Sequence, residues 1–186
     1  MKTPLEITRW AVAQGRAIVS TNFRPYEAVL LHLATQAQPD IPVLWVDHGF
    51  NRPATYRFAD LLTKRLNLNL KPYFPLLSAA HWEARHGDAS REELSATMKL
   101  EPFLRGMREL APQVWLTAIR KVQNPHRATL EAVSRDEKFG VLKVGPVFAL
   151  TDADMDAYLR AHDLPNEWDY YDPAKGDEKN ECGLHK

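Results

Sequence analysis

The sequence predicts an α/β fold: one domain built on a mostly parallel, twisted sheet with helices on both faces, followed by a polar C-terminal tail. Three observations carry this reading. Short apolar runs alternate with stretches of helical periodicity, the order that parallel strands joined by right-handed crossovers require. Within those runs the apolar residues are consecutive and do not alternate with polar ones, as expected of strands covered on both sides. The chain has 186 residues, 45% hydrophobic and 26% charged, a size and composition suited to a single buried core.

The elements follow in order. "PLEITRWAVAQGR" places Leu5, Trp10 and Val12 at loosely helical spacing, with Gly15 able to end the helix. "AIVSTNF", residues 17–23, is short and apolar and reads as a first buried strand. "RPYEAVLLHLATQ" reads as a helix with Val29, Leu30 and Leu33 on one face and Pro25 suited to its first position, where no N–H is needed. "IPVLWVDHG", residues 41–49, is a second strand, and "RPATYRFADLLTKRLNLN" a helix striped by Phe58, Leu61, Leu62 and Leu66. "LKPYFPLL" gives a weaker third strand. After a polar stretch near Gly87, Ser90 and Glu93 form a capping box that opens the helical "SREELSATMKLEPFLRGMREL". "QVWLTAI" and "VLKVGPVFAL" read as two further strands, and "TDADMDAYLRAHDL" as a helix capped by Thr151 with acids in its first turn. The expected division is a globular domain over residues 1–164 and a flexible tail over 165–186.

Composition narrows the function. Lys+Arg and Asp+Glu balance at 24 each, so no bulk basic field invites nucleic acid or a membrane surface. The N-terminal segment has no long apolar run and carries Glu6, unlike a secretory leader, and no window approaches a spanning helix. Cys182 is the single cysteine, which excludes an internal disulfide and leaves an iron–sulfur cluster without its usual set of thiolates. A cytoplasmic protein is expected.

Polar residues at the carboxyl ends of the strands are where an open parallel sheet binds ligands. "STNFRP" puts Ser20, Asn22 and Arg24 before a helix N-terminus, a candidate anion site or a plain helix cap. "VDHGF" ends the second strand with Asp47 and His48 and turns at Gly49; it suits a base or ribose, or a polar strand end satisfied by its own turn. "AIRKVQNPHR" crowds Arg120, Lys121, His126 and Arg127, whose arginine forks suit phosphate or sulfate, or form a solvated basic loop. Cys182, with His185 three residues on, lies in a polar tail where packing offers it nothing except Leu184. A metal half-site lacks its second pair. A thiol nucleophile tuned by Lys179, Lys186 and His185 is the remaining role, with Glu181 opposing it.

On these residues the chain resembles the phosphoadenylyl-sulfate (PAPS) and adenylyl-sulfate (APS) reductases. "ECGLH" looks like their catalytic signature. "STNFRPYEAVLLHLATQAQPDIPVLWVDHGFNRPATYRFADLLTKRLNLNLKPY" tracks their nucleotide-binding half, "WLTAIRKVQNPHRATL" their Arg-Arg-x-Gln-Ser segment, and "GVLKVGPVFALTDADMDAYLRAHDLP" the stretch before the catalytic tail. The resemblance implies an adenine-nucleotide alpha-hydrolase-like fold and a thioredoxin-dependent oxidoreductase of assimilatory sulfate reduction. It implies that Ser20, Asn22, Arg24, Asp47, Arg120, Arg127 and Lys179 bind substrate. Cys182 would attack the substrate's sulfur with His185 beside it, and thioredoxin or glutaredoxin would release sulfite from the S-sulfocysteine. No iron–sulfur cluster is implied, because cluster-bearing relatives carry additional paired cysteines; this favours PAPS over APS. A homodimer is left open.

The chain also departs from the family pattern. Arg24 and Pro25 follow Phe23 where the family has a glycine, His48 replaces a threonine, and the tail between Leu164 and Cys182 is short and keeps Lys175 and Lys179 where arginines are usual. Two other readings stand beside the reductase: a nucleotide-binding redox partner without turnover, which these departures favour, and a sulfurtransferase or activating enzyme that uses ATP at the same loop, against which the missing glycine-rich loop argues.

Overall fold

The computed structural model describes residues 2–87 and 90–173. Its six strands are β1 (Ala17–Thr21), β2 (Pro42–Val46), β3 (Asn69–Tyr73), β4 (Val114–Leu116), β5 (Val133–Asp136) and β6 (Val141–Val144), arranged in one sheet in the order β3-β2-β1-β4-β6-β5. All neighbours pair in parallel except β5, which forms an antiparallel hairpin with β6 at the sheet edge. The chain builds outward from β1 to β2 and β3, then crosses back to β4 on the other side of β1. That reversal opens a crevice between the carboxyl ends of β1 and β4.

Helices cover both faces, and the strand pleat explains how. Val19 of β1 points into a core shared with α1 (Pro4–Val12), α2 (Glu27–Ala37), α3 (Pro53–Leu66) and α8 (Asp152–Ala161), through Ala11, Leu30, Leu33, Leu62 and Met155. Ile18, one residue earlier, points to the opposite face and packs with Leu44 and Trp115 against Phe103 and Met107 of α6 (Glu101–Leu110). Burial on both sides makes the central strands apolar at every position. α6 lies close to the sheet because Gly106 has no side chain: a Cβ there would stand 2.7 Å from Leu44 Cδ1 and 3.0 Å from the Tyr73 ring.

α4 (Ala79–His86) is capped by Ser78, whose Oγ accepts from His81 N. α5 (Arg91–Ser95) begins with the Ser90–Glu93 capping box read from sequence. It runs through a π-helical turn, Ala96–Leu100, directly into α6. Pro102 supplies no N–H at the start of α6, which favours a break in ordinary helical bonding just before it. α7 (Pro125–Ala128) is a single turn after β4, capped by Asn124. α8 begins with Thr151, whose hydroxyl accepts from Asp154 N as the sequence suggests.

Four details differ from the sequence reading. α2 starts at Glu27, not Pro25, because Tyr26 sits at its N-cap in the left-handed region (φ 72°) and breaks the helical path. α4 occupies part of the stretch read as merely polar; its single buried large side chain, Trp82, gives no apolar stripe. β5 escaped notice because its residues Ser134, Arg135 and Asp136 are polar, as suits an edge strand. The strands themselves are shorter than their apolar runs, and β1 ends at Thr21.

Candidate functional site

The crevice at the β1–β4 reversal is lined by Ser20 near the end of β1, by Asn22 and Arg24 from the loop after it, by Thr117 and Ile119 after β4, and by His48 after β2. Lys99 from the π turn, Arg127 from α7, and Tyr170 and Asp172 from the C-terminal segment complete it. Polar groups and cations thus meet where the sheet topology leaves a gap, with Trp115 and Phe103 as apolar floor.

The loop from Ser20 to Tyr26 is organised by Glu27. Its buried carboxylate accepts the Thr21 hydroxyl and the Asn22 backbone N–H (2.9 Å), and pairs with Arg24 Nε at 3.1 Å. Arg24 also donates to Ala118 O at 3.3 Å, tying the β1 loop to the β4 loop. The charge expected of Arg24 is therefore already matched inside the cleft. Ser20 Oγ accepts from Trp115 Nε1 at 2.8 Å. The loop holds two non-glycine residues at positive φ, Phe23 (54°) and Tyr26 (72°), a strained path of the kind that clusters at binding sites. The conformational freedom a glycine would supply at position 24 is taken up instead by its neighbours.

The two arginines of the basic segment separate. Arg127 is buried and lines the cleft, with its backbone N–H on Asn124 Oδ1 (2.8 Å) and its guanidinium on Gln123 Oε1. Arg120 is buried outside the cleft lining. It donates to Leu150 O (3.3 Å), pairs with Asp152 (2.7 Å) and lies 5.1 Å from the Tyr26 ring centroid, so it clamps the start of α8 to the β1 loop.

Asp47 and His48 also divide, because consecutive residues leave β2 in opposite directions. Asp47 Oδ1 accepts from Gly49 N (3.0 Å), Asn51 Nδ2 (3.0 Å) and the Tyr56 hydroxyl (2.9 Å), and lies outside the cleft lining. Burial, reinforced by that bond to Asp47, pushes the Tyr56 hydroxyl up to about 12. His48 is buried in the cleft wall, and its Nδ1 accepts from Phe50 N at 3.1 Å. Burial first, and then the Lys99 charge, hold its pKa down to about 4, against the opposing pull of Asp172 and Asp47. A neutral ring that accepts at Nδ1 carries its proton on Nε2.

Lys99 was not singled out from sequence, and the cleft turns on it. Its ammonium meets Asp172 Oδ2 at 2.6 Å, and the two residues are only 8% and 5% exposed. A signal did exist: Lys99 shares the i, i+4 spacing of Phe103 and Met107, so a cation stood on an otherwise apolar helix stripe. Glu27 was likewise not singled out from sequence. Cys182, His185 and Lys179 lie outside the described residues. Among the described residues no group of three or more His, Cys, Asp or Glu is placed to hold a metal ion, and no helix is long and apolar enough to cross a membrane.

The mostly parallel sheet, with its cleft at the topological switch point, has the adenine-nucleotide alpha-hydrolase-like fold. Solved structures agree: the PAPS reductase of Candida auris, in a phosphate complex, superimposes with a TM-score of 0.78 at 24% identity over 89% of this chain and 82% of its own. An ammonia-dependent NAD synthetase of Campylobacter jejuni gives a TM-score of 0.60 at 13% identity over 87% of this chain and 71% of its own. The sequence goes further than the fold. Residues 16–168 match the family model of the phosphoadenosine phosphosulfate reductase domain. Phosphoadenosine 5'-phosphosulfate reductases of Xanthomonas euvesicatoria and a Synechococcus are 38% and 36% identical, over 95% and 97% of this chain and 85% and 90% of theirs. The chain belongs to the phosphoadenosine phosphosulfate reductase family, as the terminal motif and the collinear segments led us to expect.

Proposed function

We propose that this protein reduces PAPS, or APS, to sulfite through Cys182. The observation that carries the proposal is the cleft: hydroxyls, a backbone loop, Lys99 and Arg127 converge at the switch point of a chain whose single thiol follows in "ECGLH". The nucleotide's anionic groups would lie against Ser20, Asn22, Lys99 and Arg127. The Cys182 thiolate attacks the substrate's sulfur, forming an S–S bond. The sulfur–oxygen bond to the nucleotide breaks, and the nucleotide leaves with the electron pair. A thiolate of thioredoxin or glutaredoxin then attacks the Cys182 sulfur and expels sulfite. The reductant's second thiol resolves the mixed disulfide, leaving Cys182 reduced and the partner oxidised. The nucleotide is a good leaving group, so the protein's task is positioning and charge neutralisation.

Incubating the protein with PAPS or APS and no reductant tests this directly. The C-terminal peptide should gain one sulfonate on Cys182, and reduced thioredoxin should remove it with release of sulfite. Cys182→Ser should bind nucleotide and release no sulfite, since a serine hydroxyl is a far weaker nucleophile at neutral pH. Normal sulfite production by that variant would overturn the mechanism. One observation favours a second reading, nucleotide binding without turnover: the loop's own Glu27 already takes the Thr21 hydroxyl, the Asn22 N–H and the Arg24 charge. Tight PAPS binding with no sulfonate on wild-type Cys182 would select it.

A further inference from the structure

Residues 165–173 form a strap along the carboxyl edge of the sheet. Asn166 Oδ1 accepts from Tyr26 N at 2.8 Å, Trp168 packs edge-on against the Tyr26 ring, and Asp169 and Tyr171 both contact Arg52 at the start of α3. The strap then turns inward, so that Tyr170 and Asp172 become part of the cleft wall.

The charges in that wall nearly cancel. Its described cations are Arg24, Lys99 and Arg127; its described carboxylates are Glu27 and Asp172. Glu27 neutralises Arg24, and Asp172 neutralises Lys99. A sulfated nucleotide carries several negative charges, and carboxylates already paired with the cleft's cations compete with it for them. One of the two acids has to yield. Glu27 is fixed in the first turn of α2 and holds the β1 loop together, so it cannot leave without unmaking the site. Asp172 belongs to no helix or strand and stands at the inner end of the strap, whose outer anchors at Tyr26 and Arg52 do not depend on it.

We infer that Asp172 is an internal competitor for the substrate's anion. Its carboxylate holds Lys99, and a substrate that takes that ammonium displaces Asp172 from it, releasing this contact at the inner end of the strap. Asp172 therefore weakens anion binding while coupling cleft occupancy to the segment that leads on to Cys182. The inference rests on the cleft being the anion site of the proposed reaction.

Titration calorimetry with adenosine 3′,5′-bisphosphate tests it, comparing wild type, Asp172→Asn, Lys99→Met and the double variant. Asparagine keeps a hydrogen-bond acceptor beside the buried lysine but removes the competing charge. Asp172→Asn should bind the bisphosphate about tenfold more tightly or better, in the range that charge-assisted hydrogen bonds carry. Neutral adenosine should bind both forms alike, and the gain should vanish in the Lys99→Met background. Wild-type protein supplies a second readout that needs no variant: saturating inorganic sulfate should speed backbone hydrogen exchange over residues 168–173. Bisphosphate affinity that is unchanged or lower in folded Asp172→Asn overturns the inference and leaves the reductase reading standing. Slower exchange of the strap with sulfate also overturns it. If neither wild type nor Asp172→Asn binds the bisphosphate or AMP, the nucleotide product of APS reduction, there is no anion site here, and both readings fall together.

Discussion

Replacing Glu27 by alanine removes the group around which the β1 loop is built. Three donors lose their acceptor at once: the Thr21 hydroxyl, the Asn22 N–H at 2.9 Å and Arg24 Nε at 3.1 Å. A hydrogen bond to a charged group contributes about 1.5–3 kcal/mol, and a buried donor left alone costs its own desolvation. The three losses do not add. Arg24 keeps its bond to Ala118 O and part of its surface, so its share is discounted for solvent screening, and water can enter the gap from the cleft side. A net loss of about 3 kcal/mol remains. At about 2–4 °C per kcal/mol for a domain of this size, the thermal midpoint should fall by roughly 6–12 °C. Scanning calorimetry with a parallel circular-dichroism melt measures this and checks that unfolding remains two-state. Glu27→Gln should fall between the two, because an amide oxygen still accepts from one donor without answering Arg24. Nucleotide affinity should drop with stability, since Phe23 and Tyr26 hold positive φ only while the surrounding loop constrains them. A Glu27→Ala protein that melts within about 2 °C of wild type would refute the idea that this carboxylate organises the loop.

Three further expectations follow from the same geometry. His48 stays neutral in the fold to about pH 4, whereas in the unfolded chain it binds a proton below about 6.5; the unfolded state therefore takes up more protons in that window, and stability falls as pH drops from about 6.5 to about 4, by up to about 3 kcal/mol. Urea titrations across that range should show the acid loss flatten in His48→Gln, and an unchanged slope would exclude His48 as its source. Arg120→Ala and Arg127→Ala should part company: the first should lower stability by about 2 kcal/mol through loss of the α8 clamp, and the second should lower nucleotide affinity by about 10- to 100-fold. Equal effects on affinity in calorimetry would mean that Arg120 reaches the substrate after all. Gly106→Ala should cost about 1–3 kcal/mol in denaturant unfolding, because the new methyl group meets Leu44 and the Tyr73 ring in a packed interface.

Much of this protein was legible in its sequence because the signals are local. Apolar runs such as "AIVST" and "PVLWV" are short, consecutive and rich in β-branched residues, the local pattern of strands covered on both faces. The capping box at Ser90 and the cap at Thr151 are satisfied within four residues, so they could be read directly. The resemblance carried by collinear segments and by "ECGLH" led to the family, and the candidate loops at Ser20–Arg24 and Arg120–Arg127 were correctly placed at strand ends. What the residues could not announce was which side chain of a polar pair faces the cleft. Asp47 and His48 are neighbours in sequence, yet one is used up in its own turn and the other lines the wall. Arg120 and Arg127 look equivalent in a basic segment, yet one clamps α8 and the other enters the site. Such assignments depend on where β4, α7 and α8 cross, and no spacing rule encodes that.

Sequence by itself determined the layered α/β class, the strand-end positions of the polar loops and the single thiol, because each rests on periodicity, composition or a motif within a short window. Tertiary structure decided how the charges pair. Glu27 meets Arg24 across three positions of chain, but Asp172 meets Lys99 across 73. Coulombic pairing in a buried cleft is set by distance in space and by exclusion of water, and neither quantity is written in the linear order of residues.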